Sequence, residues 1–354
     1  MVTDTRIPIA NIFFMLAYAW NIEPTWERKV VDKEDYDSLW ELLARLLVES
    51  TNDLFKRGLA RDYVVKEETF PGVKGKINIG RTFRTGAWHN AKAVCSFDEF
   101  QADIIINQVI KATVYRMLRS SGHNLENSTK SNLKQLLQRF GEVSLIDNEI
   151  LRKIDSINLQ RHQLHYKFPL NLSKFILMNT VFNEEEGKYG FLDFERSHQK
   201  MSTLFEHFIF NYYKKHQKNW KVKRENIQWH YEEGGIGVDH LPMMQTDITL
   251  ERFDRKLIID AKFYQEPMKS RVPGSPKKFA STNLYQLHAY LSNLAKSDKH
   301  PCNYKAEGML LYPVLKPIKR LDANMLGHRI RIESIDLNQN WRDISEDLNK
   351  LLDV

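Results

Sequence analysis

The stretch "QTDITLERFDRKLIIDAKFY", residues Gln245–Tyr264, sets two aspartates and a lysine among residues that otherwise read as the interior of a β-sheet. In "KLIIDAKFY" the two-residue period of a strand puts Ile258, Asp260 and Lys262 on one face and Ile259, Ala261 and Phe263 on the other. The preceding run "QTDITLE" carries Asp247 on the face shared with Gln245 and Thr249, and the polar "ERFDRK" between the two runs suits a hairpin loop. A turn centred between Phe253 and Asp254 places Asp247 directly across from Asp260.

Like charges opposed across neighbouring strands work against folding, and one of the two carboxyls keeps a proton unless something positive lies between them. A divalent cation answers that requirement. Oxygen ligands with no Cys or His cluster nearby suit a hard ion, Mg²⁺ or Mn²⁺, better than zinc. Such an ion polarises a phosphodiester and acidifies a bound water, and Lys262 is placed to orient that water or neutralise charge developing on the phosphate. The competing reading is two solvent-facing aspartates with Lys262 as their surface salt bridge.

Downstream, "NLYQLHAYL" sets Gln286 and Tyr290 four apart on one helical face, with Leu284, Leu287 and Leu291 available for packing. Side chains of this kind can hydrogen-bond a nucleic-acid strand or hold the lysine. The charged loop "EPMKSRVPGSPKK" between strand and helix supplies Lys269, Arg271, Lys277 and Lys278 as candidate phosphate contacts, with a solvated loop as the plain alternative.

Outward from this centre the chain is long enough for two domains, since its 354 residues exceed the roughly 250–300 at which one core stops growing. The formal charge of +7 favours an anionic partner without naming one. The two cysteines, Cys95 and Cys302, make neither a zinc spacing nor a disulfide framework, which fits a reducing cytoplasm. The apolar opening "IPIANIFFMLAYAW" falls short of the roughly 18 residues of a membrane span and reads as a buried helix over 8–20. No G-x-x-x-x-G-K-S/T occurs, because "GVKGK" and "GSPKK" lack the spacing, so no nucleotide is expected on this chain.

The first half reads as α+β, mostly helical. Helices are expected over 34–49 and 102–118 and in "SNLKQLLQRF", "NEILRKIDSI" and "LSKFILMNTVF", with a small β element over 61–84 around the basic turn "PGVKGK". The acidic, glycine-containing "NEEEGKYGF" suggests a boundary, giving domains over 1–185 and 186–354. Beyond it follow a helix over 198–216, the two strands of the opening quotation, a helix over 279–295, the strand "EGMLLYPVL", and a final strand and helix. Helices flanking a central mixed sheet are the expected α/β architecture.

Asp247, Asp260, Lys262, Gln286 and Tyr290 in this order resemble the PD-(D/E)xK nuclease superfamily in its Q-x-x-x-Y branch. The wider set "IPIANIFFMLAYAW", "FPGVKGKI", "FLDFERSHQKMSTLFEHF", "TDI", "IIDAKFY" and "NLYQLHAYL" resembles, in order and over nearly the whole chain, the McrC family of restriction subunits. That resemblance implies a restriction-endonuclease-like second domain with Asp247 and Asp260 as metal ligands and Lys262 as the catalytic lysine. It implies a first domain that docks on McrB, a ring-forming hexameric AAA+ GTPase, and stimulates its hydrolysis, with double-stranded DNA as substrate. Thr246 stands where the superfamily motif has proline. Glu206 occupies the place of a further metal-side glutamate in many relatives, beside its ordinary reading as a solvated helix residue. A non-cleaving activator of the ring and a stand-alone repair nuclease are the other functions this pattern allows.

Overall fold

The structure, a computed structural model, describes residues 7–21, 38–121, 125–146, 154–183, 188–191, 197–233, 235–264, 267–270, 276–316 and 318–353. The chain forms two compact units that are not consecutive: Met1–Glu34 joins Asp193–Val354, and Asp35–Leu192 makes the other. This differs from the division at 185/186 expected from the sequence. The reason at the N-terminus is helix α1 (Ile9–Ala19), which is apolar on nearly every side and buried from Asn11 to Tyr18. Its Asn11 Nδ2 donates to the carbonyls of Leu337 and Gln339 at 2.8 and 2.7 Å. Phe14 and Tyr18 meet the ring of Phe208 at 5.5 and 5.7 Å. All of these partners lie in the C-terminal segment.

In the inserted unit, helix α2 (Leu39–Arg57) starts where Ser38 Oγ accepts the Glu41 N–H, and it stops at Gly58, whose φ of 83° is left-handed. It therefore runs beyond the expected end at 49, while residues 34–37 lie outside the described ones. Strands β1 (Asp62–Pro71) and β2 (Lys76–Ile77), helix α3 (Ile79–Arg84) and strand β3 (Lys92–Gln101) follow, and the strands form an antiparallel sheet in the order β1-β3-β2. Gly75, at φ 68°, is needed in the turn, because a Cβ there would stand 2.5 Å from the Ser96 carbonyl oxygen.

Two features of this β element depart from the sequence reading. "KINIGRTF" turns helical after Ile77, because Asn78 Oδ1 accepts the Arg81 N–H at 3.1 Å and so caps α3. Strand β3 was not expected. Helices α4 (Ile105–Leu118), α5 (Asn127–Arg139) and α6 (Lys167–Met178) complete the unit with the short strands β4 (Ser120–Ser121), β5 (Thr180–Asn183) and β6 (Lys188–Phe191). "LSKFILMNTVF" divides at Asn179 into the end of α6 and β5. "NEILRKIDSI" falls mostly outside the described residues. β6 pairs with both β4 and β5, so "NEEEGKYGF" ends in a strand that belongs to the inserted unit.

The other unit resumes with α7 (His198–His216), β7 (Lys221–Lys223), β8 (Asn226–Ile227), β9 (Met244–Gln245), β10 (Ile248–Arg252) and β11 (Arg255–Ala261). A ribbon of β12 (Met268–Lys269) and β13 (Lys278–Phe279) leads into α8 (Ser281–Leu294), and β14 (Glu307–Val314), β15 (Leu321–Met325), β16 (His328–Asp336) and α9 (Trp341–Lys350) end the chain. Six strands make the expected mixed sheet in the order β15-β16-β14-β11-β10-β7. Its centre, β11-β14-β16, is parallel, and the flanking pairs are antiparallel.

β11 and β14 are buried on both faces and read accordingly as near-continuous apolar runs. α8 lies close on this sheet: a Cβ on Gly308 of β14 would come within 2.9 Å of both Leu287 and Leu291. That close approach holds Gln286 and Tyr290 beside the end of β11. Cys95 and Cys302 are free and buried, and no helix among the described residues is long and apolar enough to cross a membrane.

Candidate active site

β10 and β11 pair with Ile248 opposite Ile259, a register that continues to Asp247 opposite Asp260, as the turn at Phe253–Asp254 predicts. Asp260 is wholly buried. Lys262 Nζ stands 3.0 Å from its Oδ2 as an ion pair, and Asp260 Oδ1 has no hydrogen-bond partner. Burial raises the Asp260 pKa to about 7, with the Asp247 carboxylate adding to the rise and Lys262 opposing it. Asp247 is raised as well, by burial and then by the charge of Glu206. Lys262 and the Ala261 N–H, which donates to Asp247 Oδ2 at 2.9 Å, pull the other way. The surface salt-bridge reading does not fit this burial.

Burial works against the Lys262 ammonium, and the Asp260 carboxylate outweighs it, so the Lys262 pKa rises and the side chain stays charged. Lys262 Nζ donates to Gln286 Oε1 at 3.1 Å, Gln286 Nε2 to Tyr290 Oη at 2.8 Å, and Tyr290 Oη to the Gln245 carbonyl at 3.1 Å. The pair set four apart on α8 thus runs from the lysine to the backbone just ahead of Asp247. Burial also holds the Tyr290 pKa up, which keeps its hydroxyl a donor.

Glu206, on α7, is committed to Arg224 at 2.7 Å, and its charge still reaches Asp247. Among the described residues no three His, Cys, Asp or Glu side chains gather closely enough to hold a metal. The centre is therefore a two-carboxylate site with a glutamate at its margin. Its donors still fit a hard divalent cation, because Mg²⁺ is commonly held by one or two carboxylates with water and substrate phosphate completing the shell. Asp260 Oδ1, buried with no hydrogen-bond partner beside an Oδ2 that only Lys262 neutralises, is what such an ion would satisfy.

Lys269 and Lys278 face each other across the β12–β13 ribbon, Lys277 is exposed beside them, and Arg271 lies outside the described residues. Two elements of the site escaped the sequence reading. Asn283 is buried and accepts from Tyr264 Oη at 3.3 Å while donating to Tyr312 Oη at 2.9 Å. Its position three residues before Gln286 and seven before Tyr290 is a helical-face signal that could have marked it. The second element is a β-bulge. β8 pairs with β9 through Asn226 and Gln245, and β7 pairs with β10 through Lys223 and Thr249. Glu225 then matches Thr246, so Arg224 alone faces both Asp247 and Ile248. No local period announces it.

The family described as McrBC 5-methylcytosine restriction system component matches residues 7–313. The type IV methyl-directed restriction enzyme EcoKMcrBC of Escherichia coli (strain K12) is 28% identical over 349 residues, covering 98% of this chain and 97% of that protein. Among solved structures, a chain of the refined half-complex from the tetradecameric assembly of Thermococcus gammatolerans McrB AAA+ hexamers with bound McrC superposes with a TM-score of 0.57 at 17% identity, over 97% of this chain and 76% of that one. That likeness is one of fold. With the family match spanning most of its length, the chain belongs to the McrBC family of restriction-system components.

Proposed function

We propose that this chain is the Mg²⁺-dependent DNA endonuclease subunit of an McrBC-type complex, cutting phosphodiesters when assembled with an AAA+ GTPase ring whose hydrolysis it stimulates. The observation that carries the reading is the wholly buried Asp260, its Oδ1 without a hydrogen-bond partner and its Oδ2 paired with the charged Lys262, set opposite Asp247. When bound, the cation supplies Lewis acidity at the phosphate and lowers the pKa of a coordinated water. Asp247 and Asp260 are its protein ligands. The Ala261 N–H fixes one oxygen of Asp247, and the other would remain available as a ligand.

Lys262 neutralises charge developing on the phosphate, and Gln286 aims its ammonium. Opposed lysines at 269 and 278 repel each other across the ribbon, a cost that a DNA phosphate between them relieves. The inserted unit is the part that docks on the ring. Tyr63, Val65, Ile79, Phe83, Trp88 and Phe100 are exposed there, more large apolar surface than a small β element ordinarily leaves in water. Lys74 of the basic turn lies over the Phe97 ring at 3.7 Å, so it supports this element rather than standing free.

The reading is tested with the partner, GTP, Mg²⁺ and DNA present. Asp260→Ala and Lys262→Ala abolish cutting while stimulation of GTP hydrolysis survives. Undiminished cutting by both variants contradicts the assigned chemistry.

A further inference from the structure

We infer that Thr246 is a positioning residue for Asp247, its buried hydroxyl locking the bulge that sets Asp247 opposite Asp260. The inference deepens the metal-site reading given above and rests on it. In a regular antiparallel ladder the two residues of each hydrogen-bonded pair exchange two backbone hydrogen bonds. Here the Thr246 N–H donates to the Glu225 carbonyl at 3.0 Å, but the return bond from the Glu225 N–H goes to Thr246 Oγ1 at 2.9 Å. The same hydroxyl lies 2.9 Å from Thr249 Oγ1, and both threonines are buried. The chain leaves β9 at this point and enters β10 one residue after Asp247. The hydroxyl therefore stands in for a ladder bond at the place where the ladder shifts register.

Glu225 is itself held firmly. Lys256 Nζ reaches its two carboxylate oxygens at 3.0 and 2.9 Å, donates to Asn303 Oδ1 at 2.9 Å, and has no exposed side-chain surface. Lys256 shares a strand face with Asp260, but four residues of strand, about 13 Å, separate them. That distance rules out a part in the chemistry and leaves Lys256 the task of anchoring Glu225. The other neighbour on this side, Gln245, is held through its carbonyl by Tyr290. Both residues ahead of Asp247 are thus fixed from different elements. A proline at 246 would restrict φ but could not supply the N–H that Glu225 accepts.

The test is Mn²⁺ binding to the full chain, followed by calorimetry without DNA or partner, with thermal melting in chelator recorded alongside. Thr246→Val keeps the shape and removes the hydroxyl, and it is expected to weaken Mn²⁺ binding about 10-fold or more, while Thr246→Ser stays within about 3-fold of wild type. Unchanged affinity in Thr246→Val, or equal weakening in both variants, overturns the inference. Should Thr246→Val not fold, Thr249→Val removes only the distal hydroxyl contact and is expected to weaken binding about 3-fold, with unchanged affinity again overturning it. Wild-type protein that binds no Mn²⁺ overturns the metal-site reading along with this one, whereas normal wild-type binding with an indifferent Thr246→Val removes this inference alone.

Discussion

The two units of this chain invert ordinary burial in opposite directions. The inserted unit leaves apolar side chains in water, with Tyr63 70% and Phe83 62% exposed, while the other unit buries Asp260 completely. Exposed apolar surface is stabilised by a macromolecular partner, and a buried charge by a counter-ion or a hydrogen-bond shell. Under the proposed function the contrast assigns binding and chemistry to separate cores, so damage to one should leave the other measurable.

The largest effect that can break this separation lies at the lysine. Lys262→Met should lower cleavage about 10³-fold and leave GTPase stimulation intact, both read in the assembled complex. Next, Phe83→Asp combined with Trp88→Asp should weaken association with the ring about 100-fold, seen as lost stimulation of GTP hydrolysis, with Mn²⁺ affinity unmoved. Gln286→Ala frees the ammonium of Lys262 from its aiming contact and should lower the cleavage rate about 10-fold without altering the apparent Mg²⁺ requirement. A parallel loss of cutting and ring binding in any of these variants would erase the contrast between the units.

The smallest effect concerns stability without metal. The Asp260 pKa in the folded chain, about 7, lies above its ordinary 3.8, so folding resists its ionisation. Its contribution is therefore fully present below about pH 4 and is lost as pH rises toward 7. Asp260→Asn removes this dependence, so the stability of the chelated variant relative to wild type should be greater at pH 8 than at pH 4. Denaturant melts at the two pH values measure it.

What the sequence allowed, and what it did not, follows the range of the interactions involved. Asp247 opposite Asp260 was readable because a hairpin register depends only on where its turn falls, and Gln286 with Tyr290 because a helix repeats over a few residues. Capping by Asn78 is local too, but β-type residues on either side masked it. The bulge at Arg224 depends on pairing between segments some twenty residues apart, and neither segment carries a period that reports it. Helix α1 shows the same boundary: an all-apolar helix declares that it is buried without saying in which core, and its partners near Phe208 and Leu337 lie at the far end of the chain. Thr246 is the residue where both limits meet. Its departure from proline was visible, but the hydrogen bonds that give the departure a purpose were not.

The central claim is that Asp247 and Asp260 share a divalent cation. Calorimetric titration of Mn²⁺ into the full chain at pH 8, with Asp260→Asn in parallel, tests it most directly. The account predicts saturable binding by wild type, weaker at pH 6 where protons compete for Asp260, and no such binding by Asp260→Asn. Equal binding by the two proteins would contradict it.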